Sequence, residues 1–185
     1  MGRRRRKPRL FSFARDVVLA SYDNVPLASA ERSQLEAAVD AFVAICDVHR
    51  VAPETLMPIA RAARHDALVL RGFGITKLTV LSHYFEEAHD MMEQLCRDDD
   101  VGLRLFATAA LANCPRALAL PLLERCLVDP EWSVRKSAAQ VATTVDWPEL
   151  HGIVSAALPH ESDARVRIVM QMAANHAARL AGEAS

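Results

Sequence analysis

The chain has 185 residues, which fits one domain or one short run of stacked repeats. Hydrophobic residues make up 51% but aromatics only 5%, with six glycines, a composition that disfavours β-sandwiches and turn-rich β folds and suits close-packed helices. The formal charge of −1 hides six cations and no acid in residues 1–9, so the remainder, with 16 bases against 23 acids, carries about −7; no apolar run approaches the ~18 residues of a membrane span.

Residues 1–9 are predicted to be a basic, disordered arm. Its cations Arg3, Arg4, Arg5, Arg6, Lys7 and Arg9 are candidates for phosphate contacts with nucleic acid. A solvated tail, an anionic membrane surface or the protein's own acidic body are the other readings. Residues 10–28 are predicted as a short amphipathic helix, over 10–21, followed by a linker containing Pro26. Arg15 and Asp16 interrupt the apolar stretch and no small-residue cleavage site follows closely, so it does not read as a secretory signal. The helix is expected to dock on the body.

Ser29 is the expected N-cap of the next helix, which runs to about Arg50 with an apolar stripe of Leu35, Ala38, Val39, Phe42, Val43 and Cys46. Pro53 or Pro58 then starts a partner helix carrying Leu56, Ile59, Ala60 and Ala63. A second pair covers about Ala67 to Cys96. Its Arg71-Gly72-Phe73-Gly74 lacks the strand and third glycine of a nucleotide fingerprint, and reads as a helix start with close backbone contact. The partner helix, Tyr84 to Leu95, is predicted to bury Phe85, Ala88, Met92 and Leu95 and to present Glu86, Glu87, Asp90 and Glu93. A third pair spans Val101–Asn113 and Ala117–Val128, and a fourth Trp132–Thr144 and Trp147–Leu158, with Pro148 as a helix start and the tryptophans covering helix ends. A last helix, Ala164–Leu180, caps the array, and Gly182–Ser185 should fray.

The pairs repeat. Asp66, Asp98, Asp129 and Glu161 are spaced 32, 31 and 32 apart; Arg71, Arg104, Arg135 and Arg167 are spaced 33, 31 and 32 apart. Each arginine follows Leu70, Leu103, Val134 or Val166, and Pro58 and Pro121 lie 63 apart, two periods. One hairpin of this kind cannot bury its apolar face alone, so neighbours must stack. In this scheme Asp129 caps the helix that follows, with Pro130 and Glu131 in its first turn.

The Leu122-Leu123 pair, Asp129-Pro130, Val134-Arg135 and Ala138-Ala139 resemble the HEAT and HEAT-like (PBS-lyase-type) helical repeat family. The resemblance is best over Asp98 to Asn175 and weaker over Ser29 to Cys96. It implies an all-α fold, a right-handed α-α superhelix of about four hairpins over residues 29–181 including a terminal capping helix. It also implies a ladder between repeats, with the turn-aspartate and helix-arginine roles falling on Asp129, Arg135 and Arg104 and extending to Asp66, Arg71, Asp98 and Arg167. Glu161 departs from the aspartate pattern, and Asp66 stands one residue closer to its arginine than Asp129 does.

No catalytic set emerges. Glu86 and His89 form an E-x-x-H pair near His83 and Glu87, but a di-iron bundle needs a second such pair and none exists; His160-Glu161 is the lone His-Glu dipeptide. Cys46, Cys96, Cys114 and Cys126 show no C-x-x-C and fall in predicted apolar stripes, so they read as reduced core thiols of a cytoplasmic protein. No serine sits in G-x-S-x-G. Trp132 with Asp129, or Trp147 with Asp146, could imitate a base-holding glycosylase site, but the basic surface for duplex is missing. The excess of arginine over lysine, with abundant alanine, is expected of a GC-rich bacterial genome.

The expected function is therefore a non-enzymatic protein-interaction scaffold with no metal or cofactor. Its binding face would be lined by the second helices, with Glu86, Glu87, Asp90, Glu93, Glu124 and Arg125 in contact. A basic partner segment, or the protein's own arm in trans, would suit that face. The alternative is a nucleic-acid-associated protein that uses Arg3 to Arg9.

Overall fold

The computed structural model describes residues 14–183. The arm, with Arg3, Arg4, Arg5, Arg6, Lys7 and Arg9, the start of the predicted amphipathic helix (residues 10–13) and the last two residues lie outside them. The described residues form ten α-helices and two short 3-10 turns, with no strand among them. The helices are α1 Arg15–Ala20, α2 Ser29–Val48, α3 Pro53–Ala63, α4 Leu68–Leu81 and α5 Glu86–Leu95, then α6 Val101–Ala110, α7 Arg116–Cys126, α8 Trp132–Thr144, α9 Leu150–Ala157 and α10 Ala164–Glu183. None of them is long and apolar enough to cross a membrane. The chain divides into two compact units, one up to Lys77 and one from Leu78 onward.

In the first unit, Leu35, Ala38, Val39, Phe42 and Ile45 of α2 are fully buried, as the i, i+3, i+4 spacing demands. Leu19 of α1 joins their cluster, and Arg15 Nε donates to Asp40 at 2.5 Å, so the described part of the amphipathic helix docks on α2. The cap of α2 differs from expectation. Ala28 is the N-cap, and the Glu31 carboxylate accepts its N–H at 2.8 Å. Ser29 already has helical conformation, and the longer glutamate reaches back to the orphan donor. Pro53 opens α3, while Pro58 and Pro121 each occupy the sixth position of their helices. Between α3 and α4, Gly74 lets the two backbones touch: a Cβ there would stand 2.6 Å from Ala63 Cα and 2.7 Å from the Ile59 carbonyl oxygen. Gly72 has open space around it.

In the second unit, α6 packs on α8 and α8 on α10, while α7 packs on α9. First helices thus contact first helices and second helices contact second helices, the arrangement of translated hairpins. Ala107, Ala138 and Ala139 are fully buried, and their single methyl groups allow this close approach. Three boundaries move. Phe85 is the N-cap of α5 and half-buried, with Tyr84 in the turn before it, because helical backbone begins only at Glu86. Pro148 lies in the turn before α9. Gly182 and Glu183 continue α10 instead of fraying.

Candidate functional site

The turn between hairpins is built from charge. Arg104 Nη1 donates to the carbonyls of Asp98 (2.8 Å) and Asp99 (3.2 Å), closing its own turn. Its Nε and Nη2 donate to the two carboxylate oxygens of Asp129, at 2.9 and 3.1 Å. Arg135 repeats both halves, with Nη1 on the carbonyls of Asp129 (2.8 Å) and Pro130 (3.0 Å), and Nε and Nη2 on Glu161 at 2.6 and 2.9 Å. Arg167 donates to the Glu161 carbonyl at 2.6 and 3.1 Å. These paired hydrogen bonds match the planar guanidinium fork. Glutamate at 161 reaches Arg135 bidentately like aspartate at 129, and its side chain is 1% exposed. The hydrogen bonds from Arg135 hold the Glu161 carboxyl below its usual range, and the same pairing raises Arg135.

Each turn acid also accepts the N–H two residues on: Asp98 from Asp100 at 3.1 Å, Asp129 from Glu131 at 2.9 Å and Glu161 from Asp163 at 2.7 Å. Those second residues are the side-chain caps. Asp100 accepts from Leu103 N at 2.8 Å, Glu131 from Ser133 N at 3.5 Å and Asp163 from Arg165 N at 2.8 Å. Asp129 therefore does not cap α8 as expected. Glu131 does, and Pro130 lies outside the helix. The overlooked signal was an acid two residues after each turn acid, at positions 100, 131 and 163.

The first turn corrects the register. Arg71 Nε donates to the carbonyl of His65, six residues back, as Arg104, Arg135 and Arg167 do to Asp98, Asp129 and Glu161. His65 Nδ1 accepts from Ala67 N at 3.0 Å, the role the carboxylates take elsewhere. His65, not Asp66, stands at the equivalent position, and its spacing of 33, 31 and 32 to the next three equals that of the arginines. Asp66 is fully exposed, 3.7 Å from Arg71.

The six predicted contact residues lie on α5 and α7. Glu86, Glu87 and Asp90 are exposed on α5, and Glu124 and Arg125 on α7. Glu93 is engaged in an ion pair with Arg97 one turn on. Between the helices runs an open groove of about 480 Å³, lined by His89, Glu93 and Arg97 on one side and Ala117, Leu118, Pro121, Leu122 and Arg125 on the other. Its floor is apolar and its rim charged. Glu93 and Arg125 thus share one groove, while Glu86 and Asp90 continue the Glu93–Arg97 stripe in steps of four and three, on the same helical face. The floor was missed in sequence because Leu118 and Pro121 read as ordinary helix residues. Pro121 has no N–H for the carbonyl of Ala117, one turn earlier, which loses its regular helical partner beside the groove.

The chemistry-bearing side chains are otherwise occupied. His89 Nε2 lies 2.5 Å from the Ser82 carbonyl and His83 Nε2 2.8 Å from that of Asn113, so both rings act as donors. Among the described residues no three of His, Cys, Asp and Glu gather as a metal cluster. All four cysteines are buried and unbridged. The Cys96–Cys126 hydrogen bond and burial raise Cys96, whereas that bond lowers Cys126, which also accepts from Thr108 Oγ1 at 3.3 Å. Trp132 carries the Arg165 guanidinium 4.0 Å from its ring centre, and the Asp129 carboxylate is engaged by Arg104 and the N–H of Glu131.

No curated protein matches the chain. The family model of the HEAT repeat matches residues 119–141, from within α7 through the Asp129 turn into α8. That turn, with its arginine fork, lies in the segment that matches a HEAT repeat, and the all-helical described residues around it are compatible with an α-helical repeat solenoid.

Proposed function

We propose that the protein is a non-enzymatic scaffold that binds a partner protein through the face formed by α5 and α7. HEAT repeats generally mediate protein–protein interaction. The observation that carries the reading is the open groove between α5 and α7, whose lining is largely apolar on the α7 side, together with three exposed acids on α5 outside that lining, Glu86, Glu87 and Asp90. Buried charges elsewhere in the unit are spent on the turns, whereas these acids face water. Glu124 and Arg125 border the same surface, and Glu93 enters it as an ion pair with Arg97. An apolar anchor with a cationic flank is the complementary ligand. The proposed setting is the cytoplasm, where four buried thiols stay reduced.

The test is affinity capture with the full chain and with the double variant Glu87→Lys/Asp90→Lys. Both positions are exposed, so folding should survive. Loss of the captured protein by about tenfold or more is expected, since like charges across an interface repel. Undiminished capture, with Glu54→Lys as an exposed control on α3, would remove this face from the reading.

A further inference from the structure

We infer that the exposed stripe of α10 docks into the α5–α7 groove of a second copy of this chain, so that copies associate head to tail. The inference rests on the binding face put forward above and names its partner. Helix α10 has 20 residues and is about 30 Å long. It buries Val166, Met170, Ala173 and Ala177 in its own unit, where it packs on α8 and α9. On its outer side Ile168 and Met172 stand one turn apart, 64% and 58% exposed. The repeat register marks this pair as a departure. Arg135 of α8 and Arg167 of α10 hold equivalent places 32 residues apart, so Ile168, Met172 and Asn175 correspond to Lys136, Gln140 and Thr143. Where α8 has a lysine and a glutamine, α10 has an isoleucine and a methionine. Little of either side chain is spent on packing within the unit. Apolar anchors at i and i+4 on an exposed face are those of a helix received by a groove.

The groove suits this stripe in its lining and in its charge. Its α7 side offers Leu118, Pro121 and Leu122 to the two anchors. On α5, Glu86, Glu87 and Asp90 are exposed outside that lining. From Ala164 to Gly182, α10 has three arginines and no acid. Arg165 is engaged by Asp163 and Trp132, and Arg167 by the Glu161 carbonyl. Arg179 is exposed two turns beyond Met172, where it lines an open groove with Thr143, Asn175 and His176. Met172 and Arg179 are seven positions apart, about 10 Å along the helix, as are Glu86 and Glu93 on α5. With Met172 on the apolar wall, Arg179 can therefore reach the α5 acids. The other charges nearby are already paired: Arg97 with Glu93, and Asp146 lies 3.7 Å from His176 Nε2. The whole chain carries a formal charge of −1, so net charge does not hold two copies apart. Helix α9 stands between α7 and α10 in the packing order, so one copy cannot close this contact on itself, and the pairing joins two different surfaces.

Sedimentation of the full chain across a dilution series tests this. The mass of the wild type should rise with concentration. Ile168→Ser/Met172→Ser removes the anchors, and Glu87→Lys/Asp90→Lys reverses the acids. All four positions are exposed, so both variants should fold. Each alone should associate about tenfold or more weakly than the wild type. Mixed, the two should form one-to-one pairs that grow no further, because one supplies an intact groove and the other an intact α10. A wild type that stays monomeric, association that either variant leaves unchanged, or a mixture that does not pair would overturn the proposal. It fails separately from the binding face. If the wild type is monomeric while Glu87→Lys/Asp90→Lys still loses its captured protein, only the second copy is wrong. If that variant loses self-association and keeps its captured protein, only the external partner is wrong. If it changes neither, the face itself is wrong.

Discussion

Arg135 and Glu161 show how much one side chain can hold. The carboxylate is 1% exposed and takes two guanidinium hydrogen bonds and the N–H of Asp163. Arg135→Ala would leave that charge buried without its counter-ion, at a cost of roughly 3–5 kcal/mol, measurable by urea denaturation. Asp66→Ala is the contrast. That carboxylate is fully exposed, so the denaturation midpoint should not move. The depressed pKa of Glu161 also makes stability depend on pH. Its folded pKa lies below the ordinary 4.5, so its contribution is fully present above about pH 4.5 and fades as pH falls through the folded value. Thermal melts below pH 4.5 should therefore converge for wild type and Glu161→Gln, whereas at pH 7 the variant should melt lower.

Helices in this protein are positioned by small residues as much as by large ones. Gly74 brings α4 onto the backbone of α3, and a methyl group there would press on Ala63 and Ile59 with no side chain able to yield. Gly74→Ala should destabilise by about 3 kcal/mol, read as a lowered melting temperature. Gly72, two residues away in the same helix, meets nothing within 4 Å. Gly72→Ala should instead stabilise by about 0.5–1 kcal/mol, since alanine loses less backbone entropy. Opposite signs in one helix would separate packing from propensity. Pro58 and Pro121 act at the same level. Each occupies the sixth position of its helix and removes one helical hydrogen bond, and at Pro121 the released carbonyl borders the groove.

At the scale of the molecule, two groups of charges among the described residues stand in contrast. Ladder charges are buried in bidentate pairs and shape the turns, while the acids of α5 are left in water. The two should respond differently to salt. Partner capture through Glu86, Glu87 and Asp90 should weaken as salt rises from about 0.1 to about 1 M, where the screening length falls from about 10 to about 3 Å. The melting temperature, held by buried pairs, should change little over the same range. A capture assay and a melt run side by side would check both.

Much of this was legible in the residues alone. Apolar stripes such as Leu35-Ala38-Val39-Phe42 give helices directly, because burial follows the 3.6-residue turn and depends on local spacing. The period near 32 likewise placed Arg104, Arg135 and Arg167, since equivalent turns need equivalent side chains. Asp66 misled because an acid one residue from His65 looks like the repeated acid, and only the hydrogen bonds of Arg71 and Ala67 assign the register. The caps were misassigned for a related reason: Asp129 and Glu131 both suit a helix start, and the choice depends on where Arg104 arrives from the preceding hairpin. The groove could not be read at all. Its two walls lie on separate helices, and no spacing within one helix says how far apart two helices stand.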